Sequence, residues 1–359
     1  MSATARWKHR IKIGLLVTLS SILSIELSLR AYHAFEPLFI FHDDSYNRFR
    51  GKPHADDWNF KLNSRGFKDI EFGPREAGTL RVVAIGDSFT FGVVPYQYNF
   101  LTLLDDELDD AAGEVEILNM GIPAVGPPVY LSLLVDEGMA LDPDLVLLSL
   151  YVGNDFHESH PRDEKRALYT YSYLASLAMY LTRIRPQFEG VVPHGAGFYL
   201  DHIPTLSEGA HLNMARNRGF LFLEGHPQFL RLADEALSYL TQIQALCDQR
   251  GVPLLVVIIP DELQVDRSLR RRVQRGWNLA QQQRWRDDQP NTLLAARFAK
   301  AGIDSVDLLE PFRAESASGS LYRPRDSHWN IPGNRLAADQ LLPRLRRWAD
   351  EARRDAGPR

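Results

Sequence analysis

The chain has 359 residues, 45% hydrophobic and 24% charged, a normal globular composition that suffices for one large α/β domain or two small ones. A formal net charge of −5 and a pI near 6.1 argue against nucleic-acid binding as the main activity. The single cysteine, Cys247, excludes an intrachain disulfide and any C-x-x-C metal or redox pattern, and its helical context reads as a small buried apolar residue.

Arg6, Lys8, Arg10 and Lys12 precede an apolar run from Ile13 to Leu29, interrupted by serines and Glu26. At about 1.5 Å per residue this run reaches roughly 25 Å, slightly short of a bilayer core unless flanking residues extend it. The positive cluster lies before the run, whereas Glu36, Asp43 and Asp44 follow it. That excess of Lys and Arg predicts a cytoplasmic basic tail over 1–12 and a signal-anchor transmembrane helix over 13–31. The expected location is the inner (cytoplasmic) membrane, single-pass, with the remaining chain on the extracytoplasmic, periplasmic side. A cleaved signal peptide is the rival, although Ala31-Tyr32-His33-Ala34 makes a poor cleavage site; a buried or peripheral helix is the third reading. One lone cysteine is compatible with an oxidising compartment.

Residues 32–79 show little periodicity and read as a linker that becomes a cover over the following domain. Within it, Asn63-Ser64-Arg65-Gly66-Phe67-Lys68-Asp69 predicts an ordered turn pivoting on Gly66, with Arg65 in a salt bridge or facing an anionic ligand. From Leu80 strands and helices alternate. Strands are expected at Arg81–Ile85, Val115–Leu118, Leu145–Tyr151, Leu254–Ile259 and Ile303–Val306. Helices are expected at Tyr98–Asp109, Val129–Glu137, Phe229–Arg250 and Thr292–Ala301, with a final one from about Gly333 to Arg353. This alternation predicts a parallel sheet of about five strands covered on both faces, with ligands bound beyond the strands' carboxyl ends. The pattern breaks between Tyr151 and Phe229, read as an insertion over about 156–228 with a helix near Ala167–Arg183 lying over the strand ends. Asp266 to Trp277 reads as an amphipathic helix with a basic face, Arg267, Arg270, Arg271, Arg272 and Arg275. That face is either solvated or a contact for anionic lipid or an acidic polymer.

The stretch that organises the domain is Val82 to Gly92. A short β-branched strand reaches Gly86, which permits a tight turn, and Ser88 follows where a helix could start. A serine there has a rigid base and, beside it, free N–H groups that favour a negative oxygen; a helix-capping serine is the ordinary alternative. Three further strand ends carry suggestive residues. Asn119 to Gly126 is a Gly/Pro-rich turn whose N–H groups could face an anion. Asn154 offers an amide donor in Gly153-Asn154-Asp155. Asp326 and His328 lie on the loop before the last helix. Each alone has a plain structural explanation; together they supply a nucleophile, a donor set and a base with its carboxylate, where a parallel sheet gathers them.

On these motifs the chain resembles the SGNH (GDSL-type) hydrolase superfamily. Gly86-Asp87-Ser88 is similar to its first block, Gly153-Asn154-Asp155 to its third and Asp326-Ser327-His328 to its last. The resemblance covers roughly Leu80 to Asp350. It implies a flavodoxin-like three-layer α/β/α fold with an SGNH domain over 80–353, no cofactor and no metal. Two departures stand out. The commonest members carry Asp-x-x-His, whereas here one residue separates Asp326 from His328. The Asp-x-His-Trp form resembles extracytoplasmic members and SGNH-like polysaccharide O-acetyltransferases. In the second block the oxyanion glycine falls five residues after the asparagine, which from Asn119 gives Ala124 rather than Gly121, and the choice between them stays open.

The resemblance implies acyl transfer through Ser88, with His328 as general base and acid and Asp326 orienting its ring. The oxyanion would be held by the Ser88 N–H, the N–H of Ala124 or Gly121, and the Asn154 amide. The expected substrate is an acylated small molecule, glycan or lipid, with the membrane as a further partner through the N-terminal helix. Water as acceptor gives an esterase; a sugar hydroxyl gives an O-acetyltransferase. A catalytically inactive glycan-binding or envelope-assembly protein is the non-enzymatic alternative. His157-Glu158-Ser159-His160 offers metal-ligand chemistry for a metal-dependent hydrolase, though it is not H-E-x-x-H.

Overall fold

The computed structural model describes residues 3–35, 41, 51–112, 115–159, 167–184, 199–276 and 284–355. Glu36, Asp43, Asp44, His160, Trp277 and the insertion glycines Gly190, Gly195 and Gly197 lie outside the described residues. Contacts divide the chain into two units, residues 1–48 with 163–187, and residues 49–162 with 188–359.

The first unit contains helix α1 (Ala3–Phe35). Over Arg6–Phe35 it is long and apolar enough to cross a membrane, a test that a signal sequence also passes. Glu26, the acidic break in the apolar run, accepts the backbone N–H groups of Tyr173 and Leu174 and the Ser172 hydroxyl. It therefore caps the start of α6 (Tyr173–Met179), where four N–H groups lack helical partners. The single helix expected at Ala167–Arg183 is in fact broken. A 3₁₀ turn at Leu168–Tyr171 precedes α6, and a π-type turn follows at Tyr180–Ile184. Ser172 causes the break, because its hydroxyl caps the Ala175 N–H and its own backbone is extended. This segment groups with α1, not with the α/β unit.

The second unit is built on a parallel sheet. A two-residue ladder comes first, β1 (Asp56–Asp57) with β2 (Phe60–Lys61). Then follow β3 (Leu80–Ile85), β4 (Val115–Asn119), β5 (Leu145–Tyr151), β6 (Leu254–Ile259) and β7 (Asp304–Asp307). Their order is β4-β3-β5-β6-β7 and every pairing is parallel. This is the doubly wound flavodoxin-like order, with β3 at the point where the winding reverses. Strands β3, β5 and β6 are buried along their whole length, as a sheet covered on both faces requires.

Alternate side chains serve opposite layers. Val83 and Ile85 join the core formed with α4 (Pro127–Asp136), α8 (Pro227–Arg250) and α11 (Gln289–Ala301). Val82 and Ala84 join the core formed with α3 (Phe100–Ala112) and α13 (Ile331–Asp355). The insertion supplies one helix that hydrophobic periodicity does not reveal, α7 (Glu208–Arg218). Its buried face is His211, Ala215 and Arg218, a helical stripe that is mostly polar. The predicted basic helix is α10 (Arg267–Gly276); Arg270 pairs with Asp287 and Arg272 with Glu208, while Arg267, Arg271 and Arg275 are exposed.

Residues 51–79 pack within this unit. Gly66 is left-handed (φ 82°), and the Asn63 side chain accepts the N–H groups of Arg65 and Phe67, which fixes the predicted turn. The Arg65 guanidinium lies 5.8 Å from the Phe72 ring centroid. Lys68 is fully buried, pairs with Asp57 at 2.5 Å and donates to the carbonyls of Gly92 and Val94. Burial pulls the Lys68 pKa down, and Asp57 opposes that shift.

Candidate active site

Ser88 is the first residue of the short helix α2 (Ser88–Phe91), at the carboxyl end of β3. Asp87 caps that helix by accepting the Phe89 N–H at 2.9 Å. Gly86 is needed for space and not for an unusual backbone angle, contrary to the sequence reading. A Cβ there would stand 2.0 Å from Thr90 Oγ1 and 2.9 Å from Ser149 Cβ, and Gly86 is not among the positive-φ residues. The turn can only pass that close to its own helix and to β5 without a side chain.

His328 reaches the same point from the far end of the sequence. Its Nε2 lies 2.8 Å from Ser88 Oγ, and its Nδ1 lies 2.6 Å from Asp326 Oδ1. The same Asp326 oxygen accepts the His328 backbone N–H at 3.1 Å. One intervening residue is thus sufficient: the loop curls back, with Arg325 left-handed at φ 52°, and a single carboxylate oxygen orients both ends of the histidine. Asp326 Oδ2 pairs with Arg323 at 3.1 Å. Burial alone would raise the Asp326 pKa, but His328 and Arg323 outweigh it and hold the carboxyl well below the usual range.

Packing fixes this loop. Trp329 is 1% exposed and meets Phe89, Phe100 and Phe312 with ring centroids 4.9–5.9 Å apart. Phe89 also lies 5.2 Å from the His328 ring. The Arg323 guanidinium lies 5.8 and 5.3 Å from the ring centroids of Trp58 and Tyr199, which themselves pack edge to face. Backbone bonds from Thr205 and Leu206 to the carbonyls of Pro324 and Arg325 brace the loop from outside. Composition alone signals none of these supports, except the tryptophan that follows the histidine.

The remaining site candidates separate. Gly121 is buried, and its N–H donates to Asn119 Oδ1 at 2.9 Å. Asn119 itself is a brace: its amide donates to the Thr90 carbonyl and its N–H to Asp69. Ala124 is exposed and left-handed (φ 59°), and its N–H makes no hydrogen bond among the described residues. Asn154 stands half-buried at the end of β5 as the cap residue of α5 (Asp155–Glu158), with its Oδ1 buried and unpartnered. His157 packs edge-on against Phe220 at 4.9 Å. Among the described residues no group of three or more His, Cys, Asp or Glu side chains is placed to hold a metal ion.

A five-stranded parallel sheet in this order, with helices on both faces, is a flavodoxin-like three-layer fold. The family profile described as "ALGX: SGNH hydrolase-like domain, acetyltransferase AlgX" matches residues 220–356. That stretch contains β6, β7, Asp326 and His328, but not Ser88 or Asn154. No match was found among curated protein sequences. Among solved structures, an acetyl xylan esterase is 15% identical, with 74% of this chain and 100% of that chain covered, at a TM-score of 0.43. A lipase/acylhydrolase from Enterococcus faecalis is 12% identical, with coverages of 74% and 95%, at 0.38. A catalytic mutant of an acetylxylan esterase from Geobacillus stearothermophilus is 11% identical, with coverages of 76% and 95%, at 0.41. Likenesses at these scores say nothing of substrate or reaction.

Proposed function

We propose that the protein is a serine esterase that hydrolyses carboxylic O-acyl esters through an acyl-enzyme on Ser88. The observation that carries this reading is the continuous chain of contacts from Ser88 Oγ to His328 Nε2 at 2.8 Å and from His328 Nδ1 to Asp326 Oδ1 at 2.6 Å. Both distances lie within the hydrogen-bond reach that general-base activation of a nucleophile needs. Asp326, kept ionised by its surroundings, holds the proton of His328 on Nδ1. Nε2 is then free to accept the Ser88 proton as Ser88 attacks the ester carbonyl. The protonated ring returns that proton to the leaving alcohol, and water repeats the cycle on the acyl-enzyme. The developing oxyanion is held by the N–H groups of Ser88 and Ala124, neither of which is taken by another described residue, together with the Asn154 amide.

The substrate we favour is an O-acetylated or O-acylated cell-envelope glycan or lipid, met on the extracytoplasmic side by a domain tethered through α1. The apolar span of α1 supports the tether. The acetyltransferase description of the family matching residues 220–356 favours a second reading, transfer of the same acyl group to a glycan hydroxyl. The test is turnover of a chromogenic acetyl ester by the full chain in detergent, beside Ser88→Ala, with and without glycan acceptors. Release that depends on Ser88 and ignores the acceptor supports the esterase; release that rises with a glycan which keeps the acyl group supports transfer. Equal hydrolysis by purified Ser88→Ala refutes both.

A further inference from the structure

Two carboxylates lie beneath the site and take no part in the chemistry above. Asp87 and Asp155 are both 0% exposed. The first precedes the nucleophile; the second follows the oxyanion asparagine. Strands β3 and β5 pair in parallel as far as Ile85 with Leu148, so the turns that carry Asp87 and Asp155 leave from neighbouring strand ends. Asp155 is held against the end of β5, where its Oδ2 accepts the Tyr151 N–H at 2.9 Å and the Tyr130 hydroxyl at 3.0 Å.

Each carboxylate thus uses one oxygen. Asp87 Oδ1 accepts the Phe89 N–H. Asp87 Oδ2 and Asp155 Oδ1 are buried and have no hydrogen-bond donor among the described residues. A buried acceptor without a partner costs about 1–3 kcal/mol, and more for a charged group, so two on facing turns require an explanation. Among the described residues the titratable groups that act most on Asp155 are the Tyr130 hydroxyl from α4, Asp87 from the end of β3 and Glu158 from its own helix, none of them a cation. Asp87 faces His328 and the Ser88 hydroxyl as well as Asp155. Two buried carboxylates that act on each other disfavour both being ionised.

We propose that Asp87 and Asp155 share a single proton, carried on Asp155 Oδ1 and donated to Asp87 Oδ2, and that this bridge fixes the Ser88 turn against the Asn154 turn. The proton satisfies both orphan oxygens and leaves one net negative charge. That charge falls on Asp87, the member that His328 faces, where it favours the imidazolium formed when Ser88 is deprotonated. Burial, followed by the charge of Asp87, raises the Asp155 pKa far above the carboxylate range, and burial raises that of Asp87 too. Asp155 is then a positioning residue for the Asn154 amide. That role rests on the proposed esterase chemistry; the proton itself does not.

The experiment is infrared spectroscopy of the full chain in detergent, labelled with ¹³C-aspartate, at a pH of about 9, above the value of about 7 to which burial pushes Asp69 and Asp105. The expected result is a label-sensitive protonated-carboxyl band that Asp155→Asn removes. In parallel, Asp155→Asn keeps ester turnover within about tenfold, because its amide N–H replaces the acid O–H as donor to Asp87. Asp155→Ala loses about 10²–10³, the cost of a misplaced oxyanion donor. Absence of the band in the unsubstituted chain, or its persistence in Asp155→Asn, overturns the shared proton. Equal losses in folded Asp155→Asn and Asp155→Ala overturn the positioning role. A chain that turns over no ester refutes the esterase reading, and the infrared result still decides the proton.

Discussion

Replacing Asp326 by Asn tests the orientation of His328 more sharply than replacing it by Ala. In the native site Oδ1 accepts from both His328 nitrogens that face it, and Oδ2 accepts from Arg323 Nη1 at 3.1 Å. An asparagine has one acceptor and one donor to divide between these partners. Arg323 and the His328 backbone N–H can both only donate, and the charged guanidinium makes the stronger bond, so the amide oxygen turns to Arg323 and the NH₂ group faces His328 Nδ1, leaving that backbone N–H unpaired. Nδ1 must then be the acceptor, the proton moves to Nε2, and the ring can no longer take the Ser88 proton. Loss of a charge-assisted hydrogen bond is about 1.5–3 kcal/mol, or roughly 10–150-fold in rate, and that is the expectation for Asp326→Ala. A reversed tautomer costs about 10⁴, which is the expectation for Asp326→Asn. Adding Arg323→Gln to Asp326→Asn frees the amide to turn back and recovers part of the loss. The assay is steady-state hydrolysis of a chromogenic acetyl ester, with circular dichroism to verify folding. Turnover by Asp326→Asn equal to or above that of Asp326→Ala would refute this account.

Asn154→Ala is expected to lower turnover by about 10²–10³ with an unchanged melting temperature, since it removes one proposed oxyanion donor and no core contact. Trp329→Ala is expected to cost about 3–5 kcal/mol in denaturant unfolding, as it empties a site packed by Phe89, Phe100 and Phe312 and releases the His328 loop. Burial pushes Asp69, Asp105 and Glu262 each up to about 7. These folded-state values exceed the unfolded ones, so their contribution to stability is full below about 4 and is lost as pH rises through about 7. The melting temperature is expected to fall across that window, and Asp105→Asn to reduce the slope.

The strands and most of the domain's helices were legible because a sheet covered on both faces demands continuous apolar runs, and Val82–Ile85, Leu145–Tyr151 and Leu254–Ile259 supply them. The positions of Ser88, Asn154, Asp326 and His328 at strand ends and before the last helix were legible for a related reason. Tight turns and helix starts are written in Gly, Pro, Asn and Asp, whose local conformational preferences survive without tertiary context. Helix α7 was not legible, because its buried stripe includes His211 and Arg218, which pair with Glu262 and Asp261 from the β6 end. Those partners lie more than forty residues away in sequence.

What the chain determined by itself was local: the periodicity of its elements, the residues that can accept, donate or attack, and the apolar N-terminal run. What only the tertiary structure decided was pairing over long separations. It brought His328 to Ser88 across 240 residues, assigned the Gly121 N–H to Asn119, and buried Asp87 and Asp155 beyond neighbouring strand ends. The physical reason is that propensity and periodicity act over one or two turns of chain. A hydrogen bond between distant residues depends on the sheet order and register, and those are chosen by the burial of the whole core.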